Sequence, residues 1–234
     1  MKTKEKFEKP YIVSIDSAQQ IDKSFAKGLN FYKIVWIFLI GAIIGFIAET
    51  LFAFVETRQL VSRAGLVFGP FKPIYGFGAV VFTLLLYKIR KKNIFILFLL
   101  SSFIGAVFEI ICSLFEEYVF GVEYWQYKGS FLNIDGRTNL FYSVCWGILG
   151  ALFIKFVYPL ISDLVEKIPN NVGIFLTWVI FMFLVIDLTL TGAAIWRCVD
   201  RNYDVDPGNC VDVFLDKHYD DDYLSKLFPN MTIL

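Results

Sequence analysis

Two glutamates set in apolar runs are the residues of this sequence whose placement most suggests chemistry. Glu49 closes the run I-G-F-I-A-E (Ile44 to Glu49) and Glu109 closes I-G-A-V-F-E (Ile104 to Glu109). A second acid follows each at the same interval, Glu56 or Glu116, so both copies read I-G-x-x-x-E-x-x-x-x-x-x-E. On a helix, Gly45 and Glu49 share one face, as do Gly105 and Glu109. The small residue lets a neighbouring helix approach closely. An ionised carboxylate against lipid costs roughly 2–4 kcal/mol or more, so both glutamates are expected to face the protein interior. Glu56 and Glu116 fall near a membrane boundary, where water can solvate them.

Further polar and aromatic groups gather in two intervening stretches. The first, S-R-A-G-L-V-F-G-P-F-K-P-I-Y-G-F-G, supplies Arg63, Lys72 and Tyr75; the second, E-E-Y-V-F-G-V-E-Y-W-Q-Y-K-G-S-F-L-N-I-D-G-R-T-N, supplies Trp125, Tyr127, Asn133 and Arg137. Guanidinium groups beside carboxylates can neutralise them, and groups left over could hold a polar or anionic ligand. Glu49, Arg63, Tyr75, Glu109, Trp125, Tyr127, Asn133 and Arg137 are therefore the candidate substrate-binding residues. The competing reading is structural: Trp and Tyr belt membrane interfaces, and a Glu–Arg pair can clamp two hairpins. Asp187 is a separate intramembrane acid, with Thr189 or Thr191 as helix partners.

Other chemistries find little support. His218 is the single histidine, so no His-based metal site or triad assembles. Ser143 and Cys145 have no partner base nearby. D-V-D-P-G-N (Asp204 to Asn209) lacks the spacing and closing Glu of a calcium loop and reads as a solvated turn. No G-x-x-x-x-G-K-[ST] occurs, so the chain carries no ATPase motif. Balanced charge, 22 basic against 22 acidic residues, offers no basic field for nucleic acid. No metal and no cofactor is expected. None of the four cysteines forms C-x-x-C; Cys112 and Cys145 lie in apolar runs, while Cys198 and Cys210 flank a Pro–Gly turn and are the disulfide candidate.

The elements that must position these groups are membrane helices. Hydrophobic residues make up 57% of the chain and charged ones 19%, with mean hydropathy +0.60; a soluble domain of this size needs more polar surface. At about 20 apolar residues per crossing, five segments qualify or nearly do: Ile34 to Val55, Pro70 to Tyr87, Ile94 to Phe115, Asn139 to Pro159 and Val172 to Arg197. The second is short and opens on Pro70, Pro73 and three glycines, which predicts a broken or re-entrant entry. The fold class is an all-α polytopic membrane protein with about five transmembrane helices. The first four form two parallel helical-hairpin repeats, about 34–87 and 94–159, related about an axis along the membrane normal.

The cluster K-I-R-K-K after the second span places the N-terminus in the cytoplasm. Five spans then carry the acidic tail, 198–234, to the extracytoplasmic side. Residues 1–33 form a cytoplasmic N-terminal segment whose apolar positions from 10 to 33 suggest a short interfacial helix. No short apolar leader with a small-residue cleavage site follows the charged start, which predicts that the first apolar run stays in a multi-pass cell membrane.

The quoted motifs resemble a bacterial membrane family known as Putative ABC-transporter type IV, the CmpB-like family. The resemblance runs through Gly45 to Glu49, Ser62 to Gly78, Phe108 and Glu109, Phe120 to Tyr127, Phe131 to Arg137 and Cys145 to Gly150. It covers roughly residues 35 to 160 and leaves the fifth span and the tail outside. The chain departs from the family's Asn-Arg-Gly at Ser62, Arg63, Ala64, Gly65: the arginine carries over, its neighbouring Asn does not. The resemblance implies a permease-like subunit of an ABC transporter, with a separate ATPase subunit or a homo-oligomer as partner, in contact with membrane lipid. The leading expectation is a binding site between the hairpins, open to the outer face. A membrane-embedded enzyme is the alternative, with Glu49 or Glu109 as acid or base and Arg63 and Arg137 holding an anionic lipid-linked or sugar-phosphate substrate. A structural or sensory partner is the third.

Overall fold

The computed structural model describes residues 24–234. Four of its helices are long and apolar enough to cross a membrane: Phe31–Thr57, Ile94–Phe120, Leu140–Glu166 and Asn170–Asn202. A shorter apolar helix, Pro73–Ile89, lies between the first two. The all-α polytopic expectation therefore holds, with four full-length spans and one shorter apolar helix where about five spans were expected. The shorter one is the second, read as Pro70 to Tyr87 and expected to be short and broken. Large side chains such as Phe52, Phe95, Phe103 and Phe175 stand exposed on these helices. That pattern suits a hydrocarbon surround, since lipid tails are as apolar as the side chains they meet.

Asparagines start most of these helices. Helix α1 (Phe31–Thr57) begins at Asn30, whose side chain accepts from the Lys33 amide. Helix α2 (Pro73–Leu86) opens on Pro73, whose missing N–H costs nothing in a first turn. Helix α3 (Ile94–Phe115) is capped by Asn93 and continues through a π turn, Glu116–Phe120, to Gly121 at φ +68°. Helix α4 (Leu140–Leu152), capped by Asn139, passes through a second π turn, Phe153–Val157, into α5 (Tyr158–Glu166). Helix α6 (Asn170–Asn202) completes the membrane set. The third and fourth crossings thus outrun their expected ends, Phe115 and Pro159, because π turns let the chain stay helical past those points.

α1 packs along α2, and α3 along α4. Glycines set both approaches. A Cβ on Gly45 would fall 2.3 Å from the Tyr75 ring, and one on Gly105 would fall 2.2 Å from Trp146 Cβ. Gly76 lies against Phe38, and Gly147 against Phe98. Gly41 meets Ala79, and Gly150 meets Ser101. Between the hairpins, Trp146 is the centre of the core, with Tyr75, Phe82 and Phe108 all within 6.1 Å, centroid to centroid.

The segment joining α1 to α2 is not a surface loop. Leu66, Val67 and Phe71 are buried. The Lys72 amide donates to the Ala42 carbonyl at 3.0 Å, part-way along α1. On the other side, the Val67 amide donates to Thr191 Oγ1 at 3.0 Å and the Phe68 amide to Asp187 Oδ1 at 3.1 Å. Asp187, completely buried, commits one carboxylate oxygen, Oδ1, to this fold-back. The broken entry to the second span expected from Pro70 and Pro73 is what these bonds create, because irregular backbone in a bundle must find partners inside the protein.

At one end of the molecule lie residues 24–30, the α2–α3 loop and the α5–α6 turn. Fully buried Lys33 donates to Glu166 at 2.6 Å and Ser162 Oγ at 2.5 Å, tying α1 to α5. The interfacial helix expected over 10–33 lies mostly outside the described residues; over 24–30 the chain is turn and bend, with Phe25 and Ala26 buried against the helices.

At the opposite end lie both hairpin loops and the C-terminal segment. Helices α7 (Cys210–His218) and α8 (Asp221–Leu227) bury Leu215, Tyr219, Leu224 and Phe228 against Ala194, Ile195 and Cys198. Strand β1 (Val122–Glu123) pairs antiparallel with β2 (Thr232–Ile233). Charge fixes this cap to α6. Arg197, 4% exposed, grips both oxygens of Asp216 at 2.8 and 3.0 Å, and Arg201 reaches Asp216 at 2.7 Å and Asp221 at 2.6 Å. Cys198 and Cys210 are free thiols, so the expected bridge is not formed: Cys198 is buried under the cap, whereas Cys210 is exposed at the start of α7. The cap closes through buried apolar groups and ion pairs instead.

Candidate functional site

Glu109 is the most enclosed acid among the candidates, at 4% exposure. Its position is forced by Gly105 one turn earlier, which brings α4 against α3 and leaves Glu109 facing the loop above α4. Thr138 Oγ1 donates to Glu109 Oε2 at 2.6 Å, and Tyr127 Oη donates to Oε1 at 3.1 Å. Among the described residues no lysine or arginine forms an ion pair with Glu109. A carboxyl is thus enclosed in a shell of neutral donors.

Glu49, in the other hairpin, is treated differently. Lys72 Nζ reaches its Oε1 at 3.0 Å, both side chains being about one-quarter exposed. Lys72 can do so because the fold-back delivers it to the start of α2, beside the C-terminal half of α1. Tyr75, one turn into α2, packs on Gly45 and tilts against Trp146 at 5.9 Å. It lies within electrostatic reach of Glu49 and Glu109 alike, and so joins the two half-sites. Tyr127 stacks on Tyr142 with centroids 4.5 Å apart. Burial, reinforced by the neighbouring Glu109, pushes the Tyr127 phenol far above its ordinary range.

The arginines go elsewhere. Arg137 pairs with Glu117 at 2.5 Å and Asp135 at 3.2 Å, and donates to Ser113 Oγ at 3.1 Å, one turn beyond Glu109. The bond to Glu117 holds its guanidinium firmly charged. Arg63 donates to Asn230 of the tail at 3.2 Å, while its amide meets Thr50 Oγ1. Trp125 Nε1 donates to the Arg137 carbonyl at 2.9 Å, and Asn133 bridges Ser130 and Gly136 within its own loop. A small cleft of about 150 Å³ lies beside this region, between Glu123–Gln126 and the tail residues Asn230 and Thr232. Of the eight expected residues, Glu49, Tyr75, Glu109 and Tyr127 come together; Arg137 stands one turn away; Arg63, Trp125 and Asn133 serve loops and the tail.

Sequence reasoning missed Thr138, Tyr142 and Trp146 as members and Lys72 as the partner of Glu49. Thr138 carried a usable signal, since it immediately precedes the helix-capping Asn139 and must sit at the mouth of α4. Lys72 carried one too, adjacent to the proline that opens α2.

Comparison with known proteins bears on this arrangement. The family model described as Putative ABC-transporter type IV matches residues 36–192, and the chain belongs to that family. The match extends past residue 160 through most of α6, so the greater part of the last crossing lies within the family region, with its final turns and the tail beyond it. No curated protein and no solved structure matches the chain.

Proposed function

We propose that this member of the Putative ABC-transporter type IV family is a permease-like membrane subunit whose binding site lies between its two hairpins, toward the end covered by the tail. Glu109 carries the reading. A carboxyl enclosed by neutral donors in a membrane bundle is expensive to keep, and such groups mark ligand or ion routes. Around it, the faces of Tyr75, Tyr127, Tyr142 and Trp146 supply surfaces that attract a cation. The favoured ligand is a polar molecule with a cationic or proton-donating group, for which Glu109 is the acceptor and the Glu49–Lys72 pair the adjustable neighbour. An anionic ligand, and with it the enzyme reading, would need Arg63 and Arg137 at the glutamates, and both are engaged elsewhere.

The two hairpins are the moving parts in this reading. They are internal repeats, supported by three matched contacts: Gly45 on Tyr75 with Gly105 on Trp146, Phe38 on Gly76 with Phe98 on Gly147, and Gly41 on Ala79 with Ser101 on Gly150. Glu49 and Glu109 occupy equivalent positions. Parallel repeats meeting at one aromatic seam can rock about it, which is how repeat-built transporters alternate access. The K-I-R-K-K end faces the cytoplasm in this reading, and the tail caps the outer side. A separate ATPase subunit would supply the energy.

The test is retention. Wild-type protein and Glu109→Gln, extracted in mild detergent and matched for helix content, are analysed for bound small molecules by mass spectrometry. A polar molecule with a basic group held by the wild type and lost from the variant is expected. Identical contents in the two would refute the site.

A further inference from the structure

The end of the molecule opposite the tail holds a second built feature. The α2–α3 loop and the π turn Phe153–Val157 enclose a cleft of about 320 Å³ lined by Arg90, Lys91, Ile154, Lys155 and Pro159. Lys88 and Lys92 flank it in sequence, bringing five cations to one place.

Two of these cations are held in position. The Arg90 guanidinium lies over the Tyr87 ring, 4.1 Å from its centroid, and donates to the Tyr87 carbonyl at 2.7 Å. Tyr87 is itself braced edge-on by Tyr158. Lys155 donates to the Lys92 carbonyl at 3.0 Å, and so ties the π turn to the loop. Either cation retains N–H groups beyond these single bonds, because guanidinium carries five and ammonium three. Among the described residues none of the five forms an ion pair with a carboxylate. Glu166, further along the same crossing, is taken by Lys33, and Asp163 is exposed. The cleft is a pre-positioned anion site without an internal anion.

Its surroundings define which anion. Residues next to the basic groups in sequence are large, apolar and exposed: Ile94 and Phe95 after the loop, Phe156 beside Lys155, and Leu160 beside Pro159. They begin or continue membrane-crossing helices, so they face acyl chains. A soluble phosphate would use the cations and leave this apolar wall unused. A phospholipid would use both, its headgroup phosphate in the cleft and its chains along the wall.

We propose that this cleft binds the phosphate of an anionic phospholipid of the bilayer, with Arg90, Lys91 and Lys155 as its ligands. Basic pockets between membrane helices bind such headgroups, and a guanidinium favours phosphate geometrically as well as by charge. The site lies at the opposite end from Glu109 and does not depend on the transport reading.

Native mass spectrometry of the purified full-length protein, titrated with phosphatidylglycerol or phosphatidylcholine in mixed micelles, tests the proposal. Preferential retention of phosphatidylglycerol by the wild type is expected. Each basic residue near a membrane surface is worth about fivefold, so Arg90→Gln/Lys155→Gln should bind it about 25-fold more weakly. Lys128→Gln, an exposed lysine in the α3–α4 loop, should leave binding unchanged. Matching circular dichroism and elution volume show that the variants are folded; if the double variant fails that check, Lys91→Gln alone carries the test with a fivefold expectation. Equal retention of the two lipids, or equal binding by wild type and folded variant, overturns the proposal. So does binding of glycerol phosphate or inorganic phosphate as tight as that of the lipid, since the site would then read a free phosphate.

Discussion

Replacing Gly105 with alanine tests the packing on which the site depends. The new Cβ would lie 2.2 Å from Trp146 Cβ and 2.7 Å from its Cγ. Those atoms sit at the root of the indole side chain, so no rotamer change moves Cβ away, and α3 and α4 must part. Overpacking of this kind costs about 1–3 kcal/mol, and the severity of the contact places it near the upper value. Alanine recovers about 1 kcal/mol of helix propensity relative to glycine. The net loss is about 2 kcal/mol, or roughly 4–8 °C in Tm for a chain of this size. Gly192→Ala is the control: its Cβ would meet only the far edge of the Phe120 ring at 3.3 Å, which can yield. Thermal unfolding in detergent, followed by circular dichroism, should give a lower Tm for the first variant and an unchanged or higher one for the second. Trp146→Ala should not rescue Gly105→Ala, because alanine retains the offending Cβ. A Gly105→Ala protein as stable as Gly192→Ala would refute the argument, and with it the claim that glycine-set packing positions Glu109.

Two further outcomes concern the tail. The Asp216 carboxyl is held below its ordinary value of 3.8 chiefly by hydrogen bonds from Arg197, then by those from Arg201; its contribution is complete above the unfolded value and is lost as pH falls through the lower folded one. Proteolysis of α7 and α8 should therefore be flat from pH 7 to about 5 and accelerate only below about 4, whereas Asp216→Asn should expose the tail already at pH 7; release of the wild-type tail near pH 6 would contradict this assignment. Cys210 is exposed and free, so a membrane-impermeant maleimide should label it on intact cells, while Cys198 should label only after the tail is released; labelling of Cys210 solely in lysed cells would reverse the orientation.

Local physics made the membrane helices readable. Their apolar runs, the asparagines before α1, α3 and α4, and the proline opening α2 all act within a few residues of the feature they specify. The fold-back of residues 64–72 was legible for the same reason, since its prolines and glycines are poor helix formers at membrane depth. Its anchors were not. Asp187 and Thr191 lie more than a hundred residues away, and Asp187 offered several equivalent partners on its own helix. The tail illustrates the same limit. Val211, Val213, Phe214, Leu215, Leu224 and Phe228 are all apolar in the sequence of the tail, yet only the last three are buried and the first three face outward. What separates the two groups is which face each helix turns to α6, and Arg197 and Arg201 hold α7 there through Asp216.

The candidate site divides along the same line, between residue type and long-range pairing. Glycine four residues before an intramembrane glutamate specifies a face, and that part carried through to the structure. Charge complementarity suggested that each glutamate takes an arginine, yet neither does. Arg63 lies on the tail side of the fold-back, and the short reach from the start of α2 belongs to Lys72. Arg137 has Glu117 and Asp135 nearer than Glu109, so the strong pairs form at the rim and leave the interior carboxyl to hydroxyl donors. An arginine at Glu109 would have neutralised it and closed the seam electrostatically. Hydroxyls stabilise the same carboxyl through single hydrogen bonds that an incoming cationic group can replace one at a time. In the proposed reading, it is the exchangeable shell around Glu109, rather than its charge alone, that would suit the interface between the hairpins to binding and release.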